Sequence, residues 1–366
     1  MAPIPISYEF EFTHPGPRML TRRLNASPAV RGAGVVVILD RGRPHSGRQL
    51  GEWIAEDAPD YVRDWGGRDG GRIAFAAKCE ALGYFSSSIT AAAVLLKSST
   101  HEFLPSLWIA TTDGTAAVES ELVTPILPAG PRGDNMVRAV LGAASDWARV
   151  GRDSGLHLHV GAVSDHGHLK ALRPTGQSAR TALYGAPMKK AQVSLCENIA
   201  YFQPVIDALV SRSRRGGRNM CGGALMEASP WWLGGKGENP RVKRDFIADK
   251  WQRAGGEGGG RYYKVNFGAL DRHGTVEFRQ HQGTVNAQKA IMWGRICAAF
   301  WVRSVNHHYK HLDCRRFSVN VGGMASFLGL GKKTTRFMRR RAREFGFTTI
   351  SGGDHDRSLG SQRRRR

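Results

Sequence analysis

Acids are scarce in this 366-residue sequence: 31 Asp and Glu stand against 53 Lys and Arg, a formal charge of +22. No C-x-x-C pair occurs among its five cysteines (Cys79, Cys196, Cys221, Cys297 and Cys314), and an odd number cannot all pair within one chain. This argues against a disulfide framework and a zinc ribbon, and a reducing compartment is expected. Long apolar runs are also missing, stretches such as Ile89–Leu96 falling far short of a bilayer span, so no membrane partner is expected. Residues 1–12, MAPIPISYEFEF, contain neither a basic n-region nor an apolar h-region. No secretory leader is therefore expected, and the chain is read as soluble and cytoplasmic. There is no repeat of fixed period, which removes solenoids and propellers. What is present, 41% hydrophobic and 23% charged residues, is the content of a globular protein with a sizeable core.

The positive charge is uneven. Residues 332–366 hold twelve basic and three acidic residues, a net +9, which leaves +13 on the remainder. Strands are expected at 6–12, at 34–39 within an otherwise polar, Gly/Pro/Arg-punctuated stretch reaching residue 50, and at 156–163. A hairpin of 108–111 with 117–123 is expected around Asp113-Gly114, and an antiparallel pair of 262–270 with 275–281 is expected to join through 271–274. Helices are expected at 72–82, 89–96, 135–150, 189–211 (shifted or kinked by Pro204) and 286–306, the last burying Ile291, Ile296, Phe300 and Trp301. Arg212–Arg218 and 254–260 read as mobile loops. Beyond residue 330 the chain reads as a basic, helical appendage. Hairpins mixed with helices indicate an α+β domain.

One pattern recurs four times. Tyr8-Glu9-Phe10-Glu11-Phe12, Val118-Glu119-Ser120-Glu121-Leu122, Leu156-His157-Leu158-His159-Val160 and Val276-Glu277-Phe278-Arg279 each alternate apolar with ionisable residues. Strand side chains alternate faces with period two, so each set projects its ionisable groups to one side. An isolated E-x-E is ordinarily a solvated strand face. Four such strands offering Glu, His and Arg, without the usual Lys, Thr, Ser and Gln, would together line a cavity with acids. Clustered carboxylates repel unless protonated or bridged by cations. Their oxygens suit Mg²⁺ or Mn²⁺, while Arg279 and Arg261 have the geometry to hold phosphate oxygens. Carboxylates, metal and arginines around one cavity are what phosphoryl transfer from ATP requires.

These motifs, with Asp113-Gly114, Val123-Thr124-Pro125, Ser154-Gly155, Arg261-Tyr262-Tyr263, Asn266, Gly283-Thr284 and Trp293, resemble the amidoligase family within the glutamine synthetase-like carboxylate–amine ligases, in order and over roughly residues 5–305. The resemblance implies a curved antiparallel sheet with helices on its convex face. It also implies ATP and Mg²⁺ (or Mn²⁺) as cofactors, and amide formation through an acyl phosphate. By position, Glu9, Glu11, Glu121 and Glu277 match metal-binding acids, and Glu119 lies two residues before Glu121 on the same face. His157 and His159 match positions for metal or phosphate contact, one expected to ligate directly and the other to act from behind it or in catalysis. Arg279 matches a phosphate-binding cation, Arg261 a contact to nucleotide phosphate or substrate carboxylate, and Arg180 a further family arginine. Asp113-Gly114-Thr115 stands where the family more often has D-x-S.

A catalytic domain over 1–305, with an insertion within 20–70, and a basic extension over 306–366 are expected. The partners expected are ATP, a carboxylate and an amine, among them peptides or amino-acid derivatives. Two alternatives come from other classes: a nucleic-acid-binding protein acting through the basic tail, and a zinc hydrolase built on His157 and His159. Two E-x-E pairs supply more hard oxygen ligands than one zinc site takes.

Overall fold

A computed structural model describes residues 6–42, 47–66, 106–112, 118–127, 130–162, 186–215, 264–310 and 313–347. Among these, seven strands and ten α-helices make a mixed α/β protein. The expected helices at 72–82 and 89–96, and the loop at 254–260, lie outside the described residues. Contacts divide the chain into two units: Pro3–His159 with Gln282–Ile291, and Val160–His281 with Met292–Arg366.

In the first unit the strands are β1 (Ile6–Phe12), β2 (Val35–Leu39), β3 (Ser106–Thr111), β4 (Ser120–Val123) and most of β5 (Gly155–Gly161), in the order β2-β3-β4-β1-β5. β3 pairs antiparallel with β4, as the hairpin reading expects, and β4 pairs antiparallel with β1. β2, however, runs parallel to β3, Val37 lying opposite Trp108, so the expected purely antiparallel sheet is corrected to a mixed one. The polar, Gly/Pro/Arg-punctuated stretch holds two helices before β2, α1 (Pro17–Ala26) and α2 (Pro28–Gly32), and β2 is followed by α3 (Gly47–Asp57) and α4 (Pro59–Gly66). Its prolines misled because Pro17 and Pro28 occupy first-turn positions, where the missing N–H costs nothing. Pro131 likewise starts α5 (Pro131–Ala144), four residues before the helix expected from 135.

Helices do not all lie behind the sheet. Val36, Ile38, Leu107 and Ile109 pack on Leu50, Ile54, Ala58 and Val62 of the α3–α4 pair. Ile109 stands opposite Val123, which stands opposite Glu9, so α3 and α4 pack on the same side of the sheet as the acids, at its β2–β3 edge. The cause is local: on this face β2 and β3 present aliphatic side chains that need cover. On the reverse face Phe10 stacks between Tyr8 and Trp108, with ring centroids 5.5 and 6.3 Å away.

The second unit contains α6 (Ala186–Asp207), β6 (Val265–Asn266), α7 (Gly268–His273), β7 (Thr275–Gln282), most of α8 (Ala287–Lys310), α9 (Val321–Leu328) and α10 (Lys332–Glu344). α6 continues three residues past Pro204. β6 and β7 pair antiparallel as expected, but a short helix joins them where a turn and a longer first strand are expected. The aromatic core joins Phe202 of α6, Phe300 of α8 and Phe327 of α9, and Asn198 donates to Ser304 at 3.0 Å. Lys264, just before β6, and Gln280 of β7 both donate to Asp207 at the end of α6, fixing the strand pair to that helix. Ile291, Ile296, Phe300 and Trp301 are buried, as the periodicity predicts.

Candidate active site

Glu9 and Glu11 share one face of β1, and the register places Glu11 directly opposite Glu121 of β4. β5 flanks β1 on its other side and carries His157 and His159. The alternation of all three strands thus converges on one face, while Phe10, Phe12, Leu122, Leu156 and Leu158 fill the core behind it.

The side chains interlock. Glu9 Oε2 lies 3.1 Å from His157 Nδ1 and Glu9 Oε1 lies 2.9 Å from His159 Nε2. The other ring nitrogen of His157 stands 3.3 Å from Glu11 Oε1, so this imidazole bridges the two β1 carboxylates. Glu11 Oε2 accepts the backbone N–H of Gly155, and both Glu11 and His157 are buried. Burial would push the Glu9 carboxyl up. Hydrogen bonds and positive charge from His157 and His159 outweigh it and hold this group well below the usual carboxylate range. One ligand atom each from Glu9, Glu121 and His157 lie within 4.8 Å of one another, close enough to share a cation. Two carboxylates and an imidazole suit Mg²⁺, Mn²⁺ or Zn²⁺ by ligand type.

Gly155 is a residue whose part the spacing alone did not reveal. A Cβ there would meet His157 Nε2 at 2.7 Å and Glu11 Oε2 at 3.2 Å. The glycine lets the β5 backbone approach close enough to donate to Glu11. Gly155→Ala is expected to displace His157 from Glu11 and weaken Mn²⁺ binding by about 10- to 100-fold, the range for losing a group that orients a ligand. Calorimetric titration with Mn²⁺ tests this, and an unchanged affinity would remove Gly155 and Glu11 from the support of the site.

In the second unit, Glu277 of β7 is buried. It accepts from Asn266 Nδ2 at 2.7 Å through Oε2 and pairs through Oε1 with the Arg279 guanidinium. Asn266 also accepts the N–H of Gly268 at 2.9 Å, which fixes its amide against Glu277. The sequence pattern includes Asn266 without assigning it a role; its signal is the cross-strand register with Glu277. Glu119 is exposed, 3.6 Å from His14, and the structure does not bring it to the carboxylate–histidine cluster. Arg261, Arg180 and Asp113 lie outside the described residues.

A family model described as "Putative amidoligase enzyme" matches residues 87–301, more than half of the chain. No curated protein and no solved structure matches. The matched span contains Glu121, His157, His159, Glu277 and Arg279 but not β1. It is the sheet pairing that joins Glu9 and Glu11 to the first three of these. The chain belongs to the amidoligase family of ligase-type enzymes.

Proposed function

We propose that this protein is an ATP-dependent carboxylate–amine ligase using Mg²⁺ or Mn²⁺, with a glutamine synthetase-like active site. The observation that supports this reading best is the carboxylate of Glu9 held between His157 and His159, with Glu11 and Glu121 on the same face of the sheet. Glu9, Glu121 and His157 are the ligands proposed for a divalent cation. When bound, the cation neutralises charge on the transferred phosphoryl group.

Glu11 orients His157 through its contact with the ring. Arg279 and Arg261 are assigned to phosphate oxygens, for which the guanidinium fork is suited, and Glu277 holds Arg279 in place. A substrate carboxylate oxygen attacks the γ-phosphorus of ATP and ADP departs, giving an acyl phosphate. The amine then attacks the acyl carbon, phosphate leaves with the C–O electron pair, and His159 in its neutral form takes the amine proton. Dividing the condensation in this way makes each step feasible without a protein nucleophile. Peptides and amino-acid derivatives are the proposed substrates.

Thermal unfolding with Mg²⁺·ATP tests the reading before any substrate is known. At about 100 times Kd, binding stabilises the folded state by about 2.7 kcal/mol, an increase of a few degrees in Tm. The increase is expected to vanish with EDTA. No increase at any metal concentration would sink the nucleotide site.

A further inference from the structure

The last described helix carries a charge pattern that the ligase reading leaves unused. α9 ends at Gly329, whose φ of 65° lies in the left-handed region, and α10 begins at Lys332 after Leu330 and Gly331. The N–H groups of Gly329 and Leu330 return to the carbonyls of Ser326 and Ala325 at 3.2 and 2.9 Å, closing the turn. α10 packs on α9 and buries Phe337, Met338 and Ala342. Two packed helices joined by a three-residue, glycine-containing turn share the connection of a helix-turn-helix, whose second helix enters a groove of duplex DNA.

The rest of α10 fits that partner. Lys332, Lys333, Arg336, Arg339, Arg340 and Arg343 are exposed. At helical periodicity they fall within an arc of about 120°, opposite the buried face, and span about 16 Å of helix. Glu344 is the one acid on this helix, and it lies against Arg340 and Arg341, at 3.7 and 2.6 Å. Among the described residues, the other five exposed cations show no acidic partner. Like charges recur at i,i+4 (Lys332/Arg336, Arg336/Arg340, Arg339/Arg343), which destabilises a helix until an anion relieves it. A membrane surface is a poorer fit, because an interfacial helix needs its apolar face free and here that face is buried in the protein.

We propose that α9 and α10 form a helix-turn-helix element that binds double-stranded nucleic acid through the exposed cations of α10. The test uses the full chain, a fluorescent random-sequence DNA duplex of about 24 base pairs and anisotropy. Six phosphate contacts should make affinity fall about 10³-fold between about 50 and 200 mM salt. Arg336→Gln, Arg339→Gln and Arg343→Gln combined should flatten the log–log salt dependence by about 3. A control carrying Arg18→Gln, Arg22→Gln and Arg132→Gln removes the same charge from the first unit and should leave the slope nearly unchanged. Circular dichroism checks that both variants fold.

The proposal is overturned if wild type does not bind the duplex or if both variants lose affinity equally. It is equally overturned if only replacement of Arg363–Arg366 weakens binding. Equal affinity for poly-glutamate, lost in the α10 variant, would reassign the surface to acidic protein and overturn the nucleic-acid assignment.

Discussion

Glu9→Gln should reduce ATP-dependent ADP release by about 10³-fold, the scale of losing one strong electrostatic contact in a catalytic site. The substitution keeps the shape of the side chain but removes its charge. It leaves His157 and His159, both buried, facing an amide where each now meets a carboxylate oxygen. Mn²⁺ affinity should fall with turnover, because Glu9 is one of the three proposed ligands. Turnover measured beside calorimetric metal titration checks both; retention of full activity would mean that this cluster is not the active site. The acid limb of stability should change too. Burial opposes ionisation of Glu9, but the two histidines hold its folded-state pKa below the unfolded value. Its contribution is thus fully present above the unfolded pKa, about 4.3 for a glutamate. It is lost as pH falls through the lower folded value. Glu9→Gln should therefore flatten that limb, which urea unfolding at a series of acid pH values would show.

Phe10→Ala should cost about 3–5 kcal/mol and lower Tm by about 5 °C. Phe10 is fully enclosed and stacks on Tyr8 and Trp108, so truncation leaves a cavity under the centre of β1. The neighbouring residues Glu9 and Glu11 depend on that anchor for their placement. Metal binding should weaken even at temperatures where the variant remains folded, which separates it from a remote core substitution. A loss below about 1 kcal/mol by chemical denaturation would show that the reverse face of β1 is not packed as described.

Parts of the site were legible because their physics is local. Period-two alternation marked β1, β5 and β7 and put Glu9 with Glu11, and His157 with His159, on shared faces. The apolar stripe of α8 was legible for the same reason, since helical spacing needs no partner to be recognised. The helices around β2 were obscured by prolines that begin helices. The joint between β6 and β7 reads as a plain turn because Gly274, at a φ of 66°, serves both a turn and the end of a helix.

The amino-acid order by itself determined which side chains were available and which of them fell on one face of a strand. It also marked the chain as a member of an amidoligase family. The tertiary structure alone decided that Glu11 stands opposite Glu121, that His157 bridges Glu9 and Glu11, and that Gly155 donates to Glu11. It also decided that β2 joins in parallel and that α3 and α4 pack on the β2–β3 edge of the acid-bearing face. Cross-strand register is a long-range quantity, set by burying the opposite, apolar face in a single alignment of distant segments. No window along the chain contains both members of such a pair, so only the folded sheet could turn separate Glu and His patterns into one candidate site.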